Sequence, residues 1–252
     1  MGISHQINEG IAEIVIDQPP VNALPIAGWH ELATSFRSVG ADPNVRVVIL
    51  GGLGRGFNAG VDIKELQRDE GHLSLVQVNQ ACFEAFAAVY ECPVPVIAAV
   101  HGFCLGGGIG LVGNADIILA SEDASFGLPE VDRGALGAAT HLARMVPQHR
   151  MRAMVYTGER IGAEELHRHG SVLEVVPREE LFPRARALAA SIAAKNPTVI
   201  RAAKRSLNGI DPVDVHRSYR YEQGFTYELT LAGVADEARD AFAEKRDPEW
   251  SE

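Results

Sequence analysis

Two segments of the chain share one plan: an apolar run, a glycine-rich loop and then the start of a helix. They are VRVVILGGLGRGFNAGVDIKEL at 45–66 and VPVIAAVHGFCLGGGIGLVG at 94–113. Glycine allows dihedrals and close approaches that a Cβ forbids, so such loops present backbone N–H groups. Two of them side by side would aim donors at one point. A helix opening at the second would add the partial positive charge of its N-terminus. This arrangement suits an oxygen that gains negative charge during a reaction, where a preorganised donor is worth about 3 kcal/mol. Downstream, Glu130 ends the stretch FGLPE. A carboxylate there can carry protons if burial lifts its pKa toward neutrality. Taken singly, each loop reads as a tight turn and Glu130 as a solvated loop residue. The three together read as a site.

The elements that must position these residues are legible in outline. Ile11 to Ile16 is a short strand stopped by Pro19 and Pro20, and a helical period follows from Ile26 to Val39. Val45 to Leu50 and the run VIAAV at 96–100 are apolar on both faces, as strands buried on both sides are. Asp62 is placed to cap a helix after the first loop, and Leu73 to Tyr90 is helical in period. Ile117 to Ala120 and Val172 to Val176 read as further strands. From His141 onward amphipathic helix dominates, with joints at Asn196-Pro197 and Asp211-Pro212. Strand-rich then helix-rich predicts an α/β core followed by a helical layer.

Composition narrows the function. At 252 residues and a formal net charge of -10, the chain is a poor match for a nucleic-acid surface, although a local basic patch for a polyanionic ligand remains compatible with an acidic whole. Cys82, Cys92 and Cys104 form no CxxC or Cys/His pattern, so free thiols, a reducing compartment and no metal are expected. Neither a signal-peptide pattern nor an apolar run of membrane-spanning length is evident, which points to a cytoplasmic protein. GIGLVG at 108–113 formally fits GxGxxG, the dinucleotide fingerprint. That fingerprint opens directly off the first strand of a βαβ unit, whereas here the loop lies mid-chain and well beyond the end of its strand. NAD-dependent oxidoreduction is therefore a remote alternative.

FNAGVDIKEL at 57–66 resembles the first signature of the enoyl-CoA hydratase/isomerase (crotonase) family, and GFCLGGGIGLVGNADIILASEDASFGLPE at 102–130 resembles the second. PPVNAL at 19–24 and AFAEKRDP at 241–248 are similar to its outer motifs, so the likeness runs from about residue 10 to 248. The resemblance implies a crotonase (ClpP-like) α/β fold. A spiral core of repeated ββα turns would occupy residues 1–195, and a C-terminal helical trimerisation region residues 196–252. It implies acyl-CoA thioester chemistry through an enolate, with the N–H groups of Val61 and Gly107 as donors and Glu130 as general acid/base. No permanently bound cofactor or metal is implied. Backbone around Ala23, Ala59 and Ile63 would meet the CoA, Lys64 could approach a phosphate, and Phe242 and Lys245 would reach a neighbouring subunit's CoA. The active unit would be a homo-oligomer, a trimer or a pair of trimers.

One departure is informative. The family's hydratases carry a second glutamate three residues after the middle glycine, where this chain has Gly110. The loop after Glu130, VDRGALGAATHL, is also shorter than usual. Both features fit a narrower resemblance within the family: GFNAGVDIKEL, the stretch from Phe103 to Leu142 and EQGFTYEL look similar to the CoA hydrolases of actinobacterial steroid breakdown. That likeness implies hydrolytic C–C ring opening of a bicyclic diketone thioester. Gly110 would then make room for a bulky acyl group, with Asp132 and His141 beside it in the pocket. For Asp132, Arg133, His141, His101 and Cys104 alike, a structural role is the plainer reading. The alternatives are an enoyl-CoA hydratase or isomerase of fatty-acid oxidation and a non-catalytic CoA-binding paralogue.

Overall fold

The computed structural model describes residues 2–66, 72–244 and 246. Strands β1 (Gly2–Asn8), β2 (Ile11–Asp17), β3 (Val47–Gly52), β4 (Val96–Val100), β6 (Ile117–Ser121) and β9 (Val172–Val176) form a six-stranded sheet in the order β1-β2-β3-β4-β6-β9. The β1–β2 hairpin is antiparallel and every other pairing is parallel. A smaller sheet joins β5 (Phe103–Leu105), β7 (Ser125–Gly127) and β8 (Arg160–Gly162). The helices are α1 (Ile26–Ala41), α2 (Ile63–Leu66), α3 (Leu73–Tyr90), α4 (Gly107–Val112), α5 (Ala139–Leu142), α6 (Gln148–Thr157), α7 (Ala163–Arg168), α8 (Leu181–Ala193), α9 (Pro197–Gly209), α10 (Val215–Leu231) and α11 (Val234–Glu244).

Strand β3 shows why the apolar runs must be strands. With a side-chain period of two, Val48 and Leu50 join the core on the α1–α3 side, while Val47 and Ile49 join a second cluster with Leu181, Ala185 and Ala189 of α8. Both faces are covered, so no residue of the strand can be polar. At Gly51 a Cβ would lie 2.5 Å from the Phe182 ring, so α8 packs directly on backbone there.

The expected strands and the helices at 26–39 and 73–90 are present within two residues of their predicted limits. β1 was not legible: GISHQIN is mostly exposed along an outer edge, so neither face carries a continuous apolar pattern. Both predicted joints separate helices: Asn196 itself caps α9, and beyond Asp211-Pro212 the cap of α10 is Asp214, which was not anticipated. Asn196 Oδ1 accepts from Thr198 N at 3.0 Å and Val199 N at 3.3 Å, and Asp214 Oδ1 accepts from Arg217 N at 2.9 Å. Asp62 caps α2 as expected, its Oδ1 taking Lys64 N at 3.1 Å. Among the described residues, no helix is long and apolar enough to cross a membrane.

Candidate active site

The first glycine loop leaves β3 and is tied down by buried asparagines. Asn22 donates through Nδ2 to Leu53 O at 2.8 Å and Gly56 O at 2.9 Å, and Asn58 accepts Gly60 N on Oδ1 at 2.8 Å. Backbone bonds Leu24 N to Gly60 O and Asp62 N to Leu24 O, each 2.9 Å, stitch the PPVNAL segment along the loop. The second loop leaves β5 and lies against the first, with Leu105 N donating to Asn58 O at 2.9 Å.

Glycine is required at the point of contact. Gly60 has φ +88°, and a Cβ there would lie 3.1 Å from Gly107 N. Gly106 has φ +56°, and a Cβ there would lie 2.5 Å from Glu130 Oε1. The Glu130 carboxylate therefore rests on the backbone of the second loop, immediately before the residue that opens α4. Among the described residues, neither Val61 N nor Gly107 N donates a hydrogen bond. Gly107 N is one of the first-turn amides that a helix leaves without an internal acceptor.

Val61 and Gly107 both belong to the wall of a cavity of about 150 Å³. One side is the two loops, with Ala59, Val61, Ile63 and Gly107. A second is α3, which contributes Leu75, Val78, Asn79, Cys82 and Phe86 at helical spacing. The third is Glu130 with the 135–138 loop and Tyr219, Thr226 and Thr230 of α10.

Glu130 sits on a 3₁₀ turn, Pro129–Arg133, that follows β7. Its Oε2 is buried without a hydrogen-bond partner among the described residues. Burial disfavours the charged form and lifts its pKa from 4.5 to about 8, against the downward pull of its own backbone amide and of Arg133 and with a push from Glu222. An unpartnered carboxyl whose pKa lies near neutrality can both take and return a proton, which is what a proton carrier requires.

Helix α10 fixes the remaining wall. Glu222 accepts Ala139 N at 2.8 Å and Thr140 N at 3.0 Å, while Thr226 Oγ1 donates to Leu136 O at 2.7 Å. Gln223 Nε2 donates to Asn79 O on α3 at 2.7 Å. The 196–252 region, expected to serve assembly, thus also closes the chain's own cavity through α10.

The comparisons with known proteins agree with this geometry. Residues 6–252 match the family described as Enoyl-CoA hydratase/isomerase. The chain belongs to the enoyl-CoA hydratase/isomerase family. It is 61% identical over 249 residues to the (7aS)-7a-methyl-1,5-dioxo-2,3,5,6,7,7a-hexahydro-1H-indene-carboxyl-CoA hydrolase of Rhodococcus jostii, covering 98% of this chain and 96% of that one. The enzyme of the same name from Mycobacterium tuberculosis is 61% identical over 236 residues, covering 94% and 96%. The crystal structure of carnitinyl-CoA hydratase from Mycobacterium avium superposes with a TM-score of 0.87 at 32% identity, covering 99% of this chain and 98% of that one. The crotonase fold expected from the sequence is therefore the fold observed.

Within this family fold, the cavity brings together Val61, Gly107, Glu130, Ala59 and Ile63, all expected at the site. It does not include the three residues expected beside the acyl group. Gly110 is buried beneath the Phe86 ring: a Cβ there would lie 2.3 Å from that ring, so the space a side chain would take is already filled and no room is gained. Asp132 is exposed and turns to α6, where a Cβ on Gly158 would meet its Oδ2 at 2.7 Å. His141 is buried one layer behind, bonded through Nδ1 to Asn114 Oδ1 at 3.2 Å and edge-on to Phe86 at 5.1 Å. Desolvation, with Arg144 and His216, pushes its pKa down to about 3, so it is a neutral support. His101 similarly bonds Gly54 O at 3.2 Å, and Cys104 is packed under Gly108.

Of the residues expected to meet CoA, Ala23 adjoins the Leu24–Val61 bridge outside the cavity wall and Lys64 is exposed. Lys245 and the side chain of Phe242 lie outside the described residues. Among the described residues, no three His, Cys, Asp or Glu side chains converge as metal ligands. The cavity residues that sequence reasoning missed are those of α3 and α10. The α3 stripe of 75, 78, 79, 82 and 86 was visible in the periodicity, including the single amide within it, but nothing in the sequence said what it faced.

Proposed function

We propose that this enzyme opens a ring of a bicyclic diketone CoA thioester by hydrolysis of a carbon–carbon bond. The observation that carries the reading is that, among the described residues, the cavity wall holds a single carboxyl, Glu130, with an unpartnered Oε2, together with Val61 and Gly107, whose backbone N–H groups have no acceptor. The filled space over Gly110 leaves no place for the second carboxylate that water addition to a double bond employs in the family's hydratases. The 61% identity to two hydrolases of a bicyclic dioxo thioester supports the same reaction class.

In the proposed sequence, ionised Glu130 takes a proton from water as the water oxygen bonds to a ring carbonyl carbon. The carbonyl π pair moves to its oxygen, then returns as the adjacent C–C bond breaks. The released electron pair passes into the system conjugated with the thioester and rests on the thioester oxygen, between Val61 N–H and Gly107 N–H. Protonated Glu130 then returns its proton to carbon. Ring and water become a chain ending in a carboxylic acid, with atoms and charge balanced. The thioester is the carrier of the substrate and no resident cofactor takes part.

The unit is further proposed to be a cytoplasmic homo-oligomer, a trimer or a pair of trimers. Exposed Val199 and Leu207 on α9, Ile210 just past its end and Tyr221 on α10 support an interface, and three buried free thiols support a reducing compartment.

The test is to incubate purified protein with the bicyclic diketone thioester and, separately, with crotonyl-CoA, following product mass and loss of conjugated-thioester absorbance. Addition of one water with a new carboxyl group, and slow or absent crotonyl-CoA hydration, is the expected result. Rapid hydration of crotonyl-CoA with an inert diketone would replace this reading by fatty acyl β-oxidation.

A further inference from the structure

Helix α3 presents Leu75, Val78, Asn79, Cys82 and Phe86 to the cavity, and one of these five is an amide. The other four are apolar or only weakly polar, as the wall for a hydrocarbon group should be. Asn79 Nδ2 is buried without a hydrogen-bond partner among the described residues. A buried, unanswered donor is costly enough that native structures keep few of them. Its place in the fold does not explain it, because the α10–α3 tie uses the Asn79 backbone carbonyl, which accepts Gln223 Nε2, and leaves the amide nitrogen unused. In the same wall Glu130 Oε2, which the reaction employs, is likewise buried without a hydrogen-bond partner among the described residues.

We propose that Asn79 is a specificity-determining residue whose Nδ2 donates a hydrogen bond to a ring carbonyl oxygen of the acyl group. The proposal rests on the diketone reading for the nature of that group. It explains how a largely apolar cavity chooses an oxidised ring over a fatty acyl chain. A saturated chain would bury the donor with nothing to accept it, whereas a keto group answers it. Selection by a site donor is far stronger than selection by apolar volume. Asn79 would also fix which ring carbonyl faces Glu130.

The decisive measurement is binding, kept separate from turnover. Two bicyclic carboxyl-CoA thioesters, identical except that one lacks the ring ketones, are titrated calorimetrically into the enzyme with Asn79 as in the wild type, Asn79→Leu and Asn79→Ser, each carrying Glu130→Gln so that the keto member is bound but not cleaved. The wild type is expected to bind the keto member more tightly by roughly 10- to 100-fold. Asn79→Leu, near the same volume, should abolish that preference while leaving affinity for the ketone-free member unchanged or improved. Asn79→Ser, which keeps a donor on a shorter stem, should retain part of it. Thermal midpoints of both variants within a few degrees of wild type would establish that the fold is intact; if Asn79→Leu unfolds, Asn79→Ser and the wild-type preference still decide the matter. No keto preference in the wild type, or equal losses for both ligands in the variants, would overturn the assignment. A keto preference lost in Asn79→Leu, where the enzyme with Glu130 intact never cleaves the diketone, would uphold Asn79 and refute the reaction instead.

Discussion

The protonation of Glu130 has a consequence for stability that can be measured without any substrate. In the folded chain burial raises its pKa from 4.5 to about 8. Below the lower value the group is neutral in both folded and unfolded chains and favours neither. As pH rises, the unfolded chain releases the proton and the folded chain keeps it, so stability is lost steadily until the folded group also ionises. Each pH unit in that interval is worth about 1.4 kcal/mol, which bounds the total at about 5 kcal/mol. Glu130→Gln keeps shape and removes the titration. Its melting temperature, relative to that of the parent, should therefore climb between pH 4.5 and about 8 and level off above. For a chain of this size the slope is about 3–5 °C per pH unit. Differential scanning fluorimetry on the two proteins across this range is sufficient, and only the slope matters because the fixed cost of the amide cancels. Parallel curves for the two proteins would refute the claim that the folded carboxyl is held neutral.

Three other outcomes follow from the same geometry. Hydrolysis should rise with pH to a plateau near the Glu130 value of about 8, because the ionised form takes the proton from water, and Glu130→Gln should lose about 10²- to 10⁴-fold in kcat with ligand affinity kept; stopped-flow rates against pH measure both. Gly110→Glu alone should destabilise by about 1–3 kcal/mol through collision with Phe86. Paired with Phe86→Ala it should recover stability and gain crotonyl-CoA hydration that neither single variant shows, as read by the loss of enoyl absorbance. Glu222→Ala should cost about 2 kcal/mol and raise KM more than it lowers kcat, since it frees the amides of Ala139 and Thr140 and loosens the 135–138 wall, and it should move the rise of rate with pH downward because the charge that helps lift Glu130 is gone; chemical denaturation and kinetics across pH separate the effects.

The parts of the site that were legible in the sequence are those that backbone chemistry dictates. Gly60 and Gly106 stand where φ is positive and where a Cβ would collide with the opposite loop or with Glu130, so their residue type could not be otherwise. β3 and β4 were legible because both faces are buried and every position is apolar or glycine. Glu130 was legible only through its company, since a glutamate after a proline says nothing of its burial. What stayed hidden depends on side chains from distant segments meeting. The emptiness at Gly110 suggested space, yet the Phe86 ring from another helix fills it. His141 and Asp132 flank the same short loop, yet one turns into the core and the other to solvent. The role of α10 was obscured because Glu222, Thr226 and Gln223 anchor segments 82–144 residues earlier, and no local pattern marks such bonds.

Helix α10 also sets the order in which the site comes into being. The loops, α3 and Glu130 are all made before it as the chain is synthesised from the N-terminus. Until α10 arrives, the 135–138 segment lacks the acceptors that hold it, and α3 shows its apolar stripe to solvent. A growing chain therefore has both glycine loops and Glu130 long before it has the wall that α10 fixes. On the proposed reaction, the site is complete only once this helix has docked.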